Sequence, residues 1–162
     1  MDANYNLSGL TDRIKARLKD AQYSDADIQQ FINDAYFDIL GDTAYQFLEK
    51  KYRSSSQDGG QLLLPLDFQT VKHFTAKLKH SIHPVKYIPS DDFFNVTRHS
   101  GVKNYTYTIF GNELFYSLPD IEDVKDDDGE EMFYTLDLYY LAKPKMLVNP
   151  TDKPVIPYEY GE

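Results

Sequence analysis

From Ile28 to Leu48 the residues Ile28, Phe31, Ile32, Ala35, Tyr36, Ile39, Leu40, Ala44, Phe47 and Leu48 keep an apolar spacing of three to four positions. That rhythm is the mark of an amphipathic helix, here about five turns long at 3.6 residues per turn. Ser24 opens the helix as an N-cap, and Asp25 and Asp27 fall in its first turn, where negative charge suits the macrodipole. Gly41 marks a kink or a division in two. Lys50, Lys51 and Arg53 sit near the C-terminal end of this run, where positive charge is favourable. Upstream, Leu10, Ile14, Leu18 and Ala21 predict a first helix over 8–21, with Ser8 or Thr11 as its cap. The linker Ala21-Gln22-Tyr23 is short, so the two helices are expected to form an antiparallel hairpin.

Beyond this hairpin the period changes. Ser54 to Gly60 is a polar breaker run and reads as a loop; it lacks the Gly-Lys-Ser ending of a phosphate cradle. Leu62 to Leu64 reads as a strand stopped by Pro65, residues 70–78 as a second and Val85 to Ile88 as a third. Ser90-Asp91-Asp92 caps a short helix through Val96. Tyr105–Phe110 and Glu113–Leu118 flank Gly111-Asn112, the loop of a tight hairpin. Met132, Tyr134, Leu136, Leu138 and Tyr140 alternate with a mixed face, predicting a half-buried strand. Pro144, Pro150, Pro154 and Pro157 keep the C-terminal stretch extended and irregular. The expected fold is α+β: an antiparallel helical hairpin (8–53) packed on an antiparallel sheet or sandwich layer (61–145), with an extended Pro-rich C-terminus (146–162), in a single domain.

A hydrophobic share of 41% is globular rather than disordered. With no cysteine, disulfides, thiolate metal sites and cysteine nucleophiles are excluded. No window reaches about eighteen apolar residues, so no membrane-spanning helix is predicted. Met1 to Asn6 has neither a basic start nor an apolar run, so it is not read as a secretion signal, and the expectation is a soluble cytoplasmic product. The net charge of −9 is concentrated late: residues 119–162 carry −8, residues 61–118 carry +2. So acidic a chain does not grip nucleic acid by phosphate neutralisation, although an acidic wall could repel a passing duplex and keep it from sticking.

Asp120, Glu122, Asp123, Asp126, Asp127, Asp128, Glu130 and Glu131 form the obvious metal candidate. An EF-hand register fails: with Gly129 at position 6, Val124 stands at position 1 and Thr135 at position 12. The run reads as a solvated turn held open by like charge. His80 and His83 lie three apart in a loop without a third ligand. No serine lies in a nucleophile elbow and no glycine fingerprint follows a strand, so neither catalysis nor a cofactor is expected. The fourteen tyrosines, eight of them at Tyr105, Tyr107, Tyr116, Tyr134, Tyr139, Tyr140, Tyr158 and Tyr160, suit interfaces or sheet packing. They also leave open a glycan-binding, host-recognition module.

Six phrases occur in a telling order: Tyr23-Ser24-Asp25-Ala26-Asp27-Ile28, Phe31-Ile32-Asn33-Asp34-Ala35, Leu64-Pro65-Leu66-Asp67-Phe68, Tyr107 through Gly111-Asn112-Glu113-Leu114, Leu138-Tyr139-Tyr140, and Asp152 to Tyr160 with its Pro-x-Ile-Pro-x-x-Tyr ending. Together they resemble the head-to-tail adaptor proteins of tailed bacteriophages. Tyr23 stands where that family often has Trp, and its members often continue into a C-terminal helix after the last phrase. The resemblance implies a non-enzymatic virion protein of the neck, assembled in the host cytoplasm. It would form a ring of about twelve copies that joins the portal to a tail or nozzle protein and lets genomic DNA pass unbound. It places Tyr158, Tyr160, Arg13 and Arg17 as candidates for the neighbour or portal interface. The acidic run, Asp120 to Glu131, faces either the channel or the outside.

Overall fold

The computed structural model describes residues 5–18, 22–41, 46–56, 60–99, 103–121 and 132–156. They cluster into two compact units: residues 1–49 with 142–162, and residues 50–141.

The first unit holds helices α1 (Leu7–Leu18) and α2 (Asp25–Gly41) and a 3-10 turn (Gln46–Leu48). Lys15 in the last turn of α1 is ion-paired with Asp25 in the first turn of α2, which ties the hairpin at its linker end. Ser24 and Asp27 form a reciprocal capping box: Ser24 Oγ accepts from the Asp27 N–H (3.2 Å), and the Asp27 carboxylate accepts from the Ser24 N–H (2.9 Å). The hydrogen bonds from Ser24 hold the Asp27 carboxyl below its usual range. The cap of α1 is Asn6, five residues before Thr11 and two before Ser8; its Oδ1 accepts from the Gly9 N–H (2.9 Å). Thr11 instead turns its hydroxyl back to the Leu7 carbonyl (2.8 Å) inside the helix.

Helix α2 ends at Gly41, so the apolar rhythm through Phe47 and Leu48 does not continue one helix. Lys50, Lys51 and Arg53 are not helix-end residues. They lie on a strand, β1 (Glu49–Ser55), which also takes Ser54 and Ser55 out of the predicted loop.

The second unit carries β1 with β2 (Gln61–Leu63), β3 (Phe68–Leu78), β4 (Ser81–Pro84), β5 (Lys86–Tyr87), α3 (Ser90–His99), β6 (Thr106–Phe110), β7 (Glu113–Ser117) and β8 (Thr135–Ala142). The strands make two sheets, ordered β1-β8-β3-β4 and β2-β7-β6-β5. Gly111, at φ +64, turns the β6–β7 hairpin as predicted. The register sorts the second sheet's faces. Tyr107, Tyr116, Leu114 and Leu62 point to the first sheet, where Phe74 of β3 meets the rings of Tyr107 (5.4 Å) and Tyr116 (6.4 Å). Thr108, Phe110 and Phe115 point the other way, toward Phe94 of α3. The predicted strand Val85 to Ile88 shrinks to Lys86–Tyr87, which pairs parallel to β6 across the α3 connection.

β8 is not half-buried. Asp137, on its supposed mixed face, is nearly as enclosed as Leu136 and Leu138, and only Tyr139 is exposed. Its carboxylate is gripped by Arg53 through two bonds (2.7 and 3.1 Å) and by Lys51 (2.8 Å), both from β1. Arg53 first, then Lys51, hold the Asp137 carboxyl below its usual range. A depressed folded value means stability that is complete above the unfolded carboxylate value of about 3.9 and is lost as pH falls through the folded one. The first sheet should therefore lose stability as pH falls below about 4, and Asp137→Asn should remove part of that dependence in a pH series of thermal melts.

Thr108 is fully buried beneath α3, and its hydroxyl has no hydrogen-bond partner among the described residues. Thr108→Val keeps the shape and removes the stranded polar group, so it should raise stability by about 1 kcal/mol. A lowered melting temperature for this variant would show that the hydroxyl is bonded after all.

Candidate functional site

The two most distinctive phrases of the sequence are clasps. Leu64-Pro65-Leu66-Asp67-Phe68 carries the chain from β2 in one sheet to β3 in the other. The Leu64 N–H reaches the Asn112 carbonyl (3.1 Å), and the Phe68 N–H closes a turn onto Pro65 (2.9 Å). Asp67 accepts from the Tyr140 hydroxyl of β8 (2.9 Å) and pairs with Lys50 of β1. Lys50 holds the Asp67 carboxyl below its usual range, while burial, with Asp67 second, pushes the Tyr140 phenol up to about 12. Leu66, at the tip, is 99% exposed.

The late phrase is a strap that closes the helical unit. Helix α1 needs partners for its first four N–H groups. Asn6 serves Gly9 and Leu10; the strap serves the other two, Leu7 bonding the Asp152 carbonyl (2.9 Å) and Ser8 the Pro150 carbonyl (3.1 Å). Asp152 stiffens the strap itself, its carboxylate accepting from the Val148 and Asn149 N–H groups (2.8 Å each), and these backbone bonds lower its pKa. On α2, the buried Asn33 amide reads the Leu147 backbone twice: its Nδ2 donates to the Leu147 carbonyl (2.9 Å), and its Oδ1 accepts from the Leu147 N–H (2.8 Å). Further along, the Tyr36 hydroxyl accepts from the Val155 N–H (3.1 Å), and the Tyr5 hydroxyl donates to the Ile156 carbonyl (3.3 Å). Burial raises the pKa of both phenols.

Between the two helices and the strap lies an apolar recess of about 490 Å³, walled by Leu10 and Ile14 of α1, Phe31, Ala35 and Ile39 of α2, and Pro154 and Ile156 of the strap. Phe31 and Ile39 are each 53% exposed. Ile28, Asn33, Tyr36 and Leu40 occupy the buried side of α2, so Phe31, Ala35 and Ile39 form a second apolar stripe, which the unit itself leaves open.

The structure does not bring the sequence candidates together as one site. Arg13 and Arg17 are exposed on α1, three residues after Leu10 and Ile14 of the recess wall. Asp120 is exposed and ion-paired with Lys103. Glu122, Asp123, Asp126, Asp127, Asp128, Glu130, Glu131, Tyr158 and Tyr160 lie outside the described residues. His83 is on β4 rather than in a loop, stacked on the Tyr105 ring at 4.4 Å. Among the described residues no group of three or more His, Asp or Glu could hold a metal ion, and no helix is long and apolar enough to cross a membrane. Tyr107, Tyr116, Tyr134 and Tyr140 are buried, so half of the eight late tyrosines are core.

What this geometry offers is adhesion: an open apolar recess on a clasped helical unit, and a stiff two-sheet unit with exposed apolar tips. The family of SU10 adaptor proteins matches residues 5–161, and the chain belongs to this family of phage head-to-tail adaptors. No curated protein matches the chain.

Proposed function

We propose that this adaptor forms a closed ring beneath the portal, joins the capsid vertex to the tail or nozzle, and leaves a passage for DNA. The observation that carries the reading is the family match across nearly the whole chain. The exposed apolar residues support it. Phe31 and Ile39 on the helical unit, and Leu63, Leu66 and Phe110 on the sheet unit, are all more than half exposed. Two different patches on one chain suit a heterologous, head-to-tail contact, which closes into a ring when the rotation per subunit allows.

In this reading the ring has about twelve copies, as the resemblance to head-to-tail adaptors implies. Arg13 and Arg17, with Tyr158 and Tyr160, belong to the contacts with a neighbouring copy or the portal. The acidic run from Asp120 to Glu131 lines the channel, where its charge repels the duplex and keeps it sliding. The protein makes and breaks no bonds; it acts by shape, as a single adaptor domain within the neck of the virion.

Native mass spectrometry of the purified chain, alone and mixed with portal particles, tests this. Rings or portal-bound rings are expected. A chain that stays monomeric in both mixtures would overturn it, and binding of host glycan by that monomer would favour a recognition module instead.

A further inference from the structure

One end of the second sheet is an apolar tip with a charge at its centre. Leu63 of β2 and Phe110 of β6 both stand opposite Glu113 of β7 in the register, so the three side chains share one face of the sheet. The Leu64 N–H bond to the Asn112 carbonyl brings the following turn, with Leu66, to the same end. Leu63 and Phe110 are each 64% exposed. Glu113 has no ion-pair partner among the described residues. We propose that this tip enters the apolar recess of the next copy, Leu66 lying against Phe31, Ala35 and Ile39, and Glu113 beside Arg13 and Arg17. Taking a second copy as the occupant rests on the ring reading.

Charge selects this occupant. At about 100° per residue, Arg13 and Arg17 fall next to Leu10 and Ile14 on α1, on the side turned away from the buried Leu7 and Thr11. They therefore border the recess; both are exposed, and neither has an ion-pair partner among the described residues. By the same geometry the exposed Asp34 and Asp38 border the recess on its α2 side, next to Phe31 and Ala35. An incoming carboxylate is drawn to the α1 rim and repelled from the α2 rim, so the tip has one favoured way in. A purely apolar occupant would leave both arginines unanswered.

The tip is also preorganised. The Phe68 N–H closes the turn onto Pro65, and Asp67, the neighbour of Leu66, is held by Lys50 and the Tyr140 hydroxyl. A side chain presented on so fixed a turn loses little freedom on docking. Each copy carries both the tip and the recess, so the contact repeats head to tail, as a closed ring requires. A contact of one tip is small, and closure, in which every copy uses both halves, makes it durable.

The chain contains no cysteine, so introduced cysteines report this contact without background. Leu66→Cys and Ile39→Cys, made in separate chains at exposed positions and mixed at high concentration with portal particles, should oxidise to a mixed dimer about tenfold faster than Leu66→Cys with Ile82→Cys. Ile82, 63% exposed on β4, is the control for chance collision. As a second measurement, Arg13→Glu with Arg17→Glu in the Ile39→Cys chain should slow the reaction severalfold, and Glu113→Arg in the Leu66→Cys chain should restore it. A rate no faster than the control, or no restoration by the second reversal, would overturn the proposal; rings seen by native mass spectrometry in that sample would leave the ring reading standing. A fast, charge-dependent cross-link in a sample without rings would support the contact and count against closure. A chain carrying both Leu66→Cys and Ile39→Cys that closes on itself at high dilution would overturn the proposal as well.

Discussion

Replacing Asn33 with leucine should lower the unfolding free energy by about 3 kcal/mol, although the side chains are similar in size. Asn33 is 3% exposed and makes three hydrogen bonds: two to the Leu147 backbone and one to the Gln29 carbonyl. Leucine would leave the Leu147 N–H and carbonyl buried and unpaired, at about 1–3 kcal/mol for each stranded group. The protein can escape that cost only by releasing the strap, which would also strip the Leu7 and Ser8 N–H groups of their acceptors. Chemical denaturation would read the loss. Hydrogen exchange would locate it, with faster exchange at Leu7, Ser8, Leu147 and Val155 and unchanged protection in β6 and β7. If Asn33→Leu matched the wild type in both measurements, the strap would not be held as described.

Phe74→Ala should cost about 4 kcal/mol, within the range for a buried aromatic truncated to alanine. Phe74 is 3% exposed, and its ring is the contact of the first sheet with Tyr107 and Tyr116 of the second. Truncation removes the apolar area and both ring contacts, the edge-on one with Tyr107 and the tilted one with Tyr116, and leaves a cavity that two flanking sheets can close only by shifting as bodies. Phe74→Leu fills most of the space and should lose less than half as much. Thermal denaturation of the two variants beside wild type gives the comparison; equal stability for Phe74→Ala would mean that the sheets are not joined there.

Much of this architecture was readable where the determinants are local. The Ser24–Asp27 capping box, the Gly111-Asn112 turn and the helix opened by Ser90 each rest on residues within one turn of one another. The order of helices and strands followed from the change in apolar period. What escaped the sequence was decided at long range. Glu49–Ser55 has helix-compatible charge, but Lys50, Lys51 and Arg53 are drawn into a strand by Asp67 and Asp137, and Asp137 lies 84 residues from Arg53. The same partners bury Asp137 on a face that its charge marks as exposed. Ser81–Pro84 read as a loop because of its proline, yet a strand at the margin of a sheet tolerates a residue without an N–H.

The site was legible only in outline. The late proline-rich phrase was visible as a signature, but its role comes from backbone groups at Leu147, Pro150, Asp152 and Val155, which no side-chain pattern encodes. Asn33 gave a faint signal, a polar residue set between Ile32 and Tyr36 on a helix that is otherwise rich in apolar residues. The recess had a clearer one: Phe31, Ala35 and Ile39 make the apolar surface of α2 wider than one packed face needs. Of the two readings open for the tyrosines, interfaces or sheet packing, Tyr107, Tyr116, Tyr134 and Tyr140 follow the second, buried in the core.

In the proposed function this chain works by packing against its own copies and its virion neighbours. An electron cryo-microscopy reconstruction of the particle's portal vertex tests it most directly. The expected result is a closed ring of this chain seated against the portal, with the helical and sheet units both recognisable in each subunit. A vertex in which the portal meets the tail with no such ring between them would contradict it.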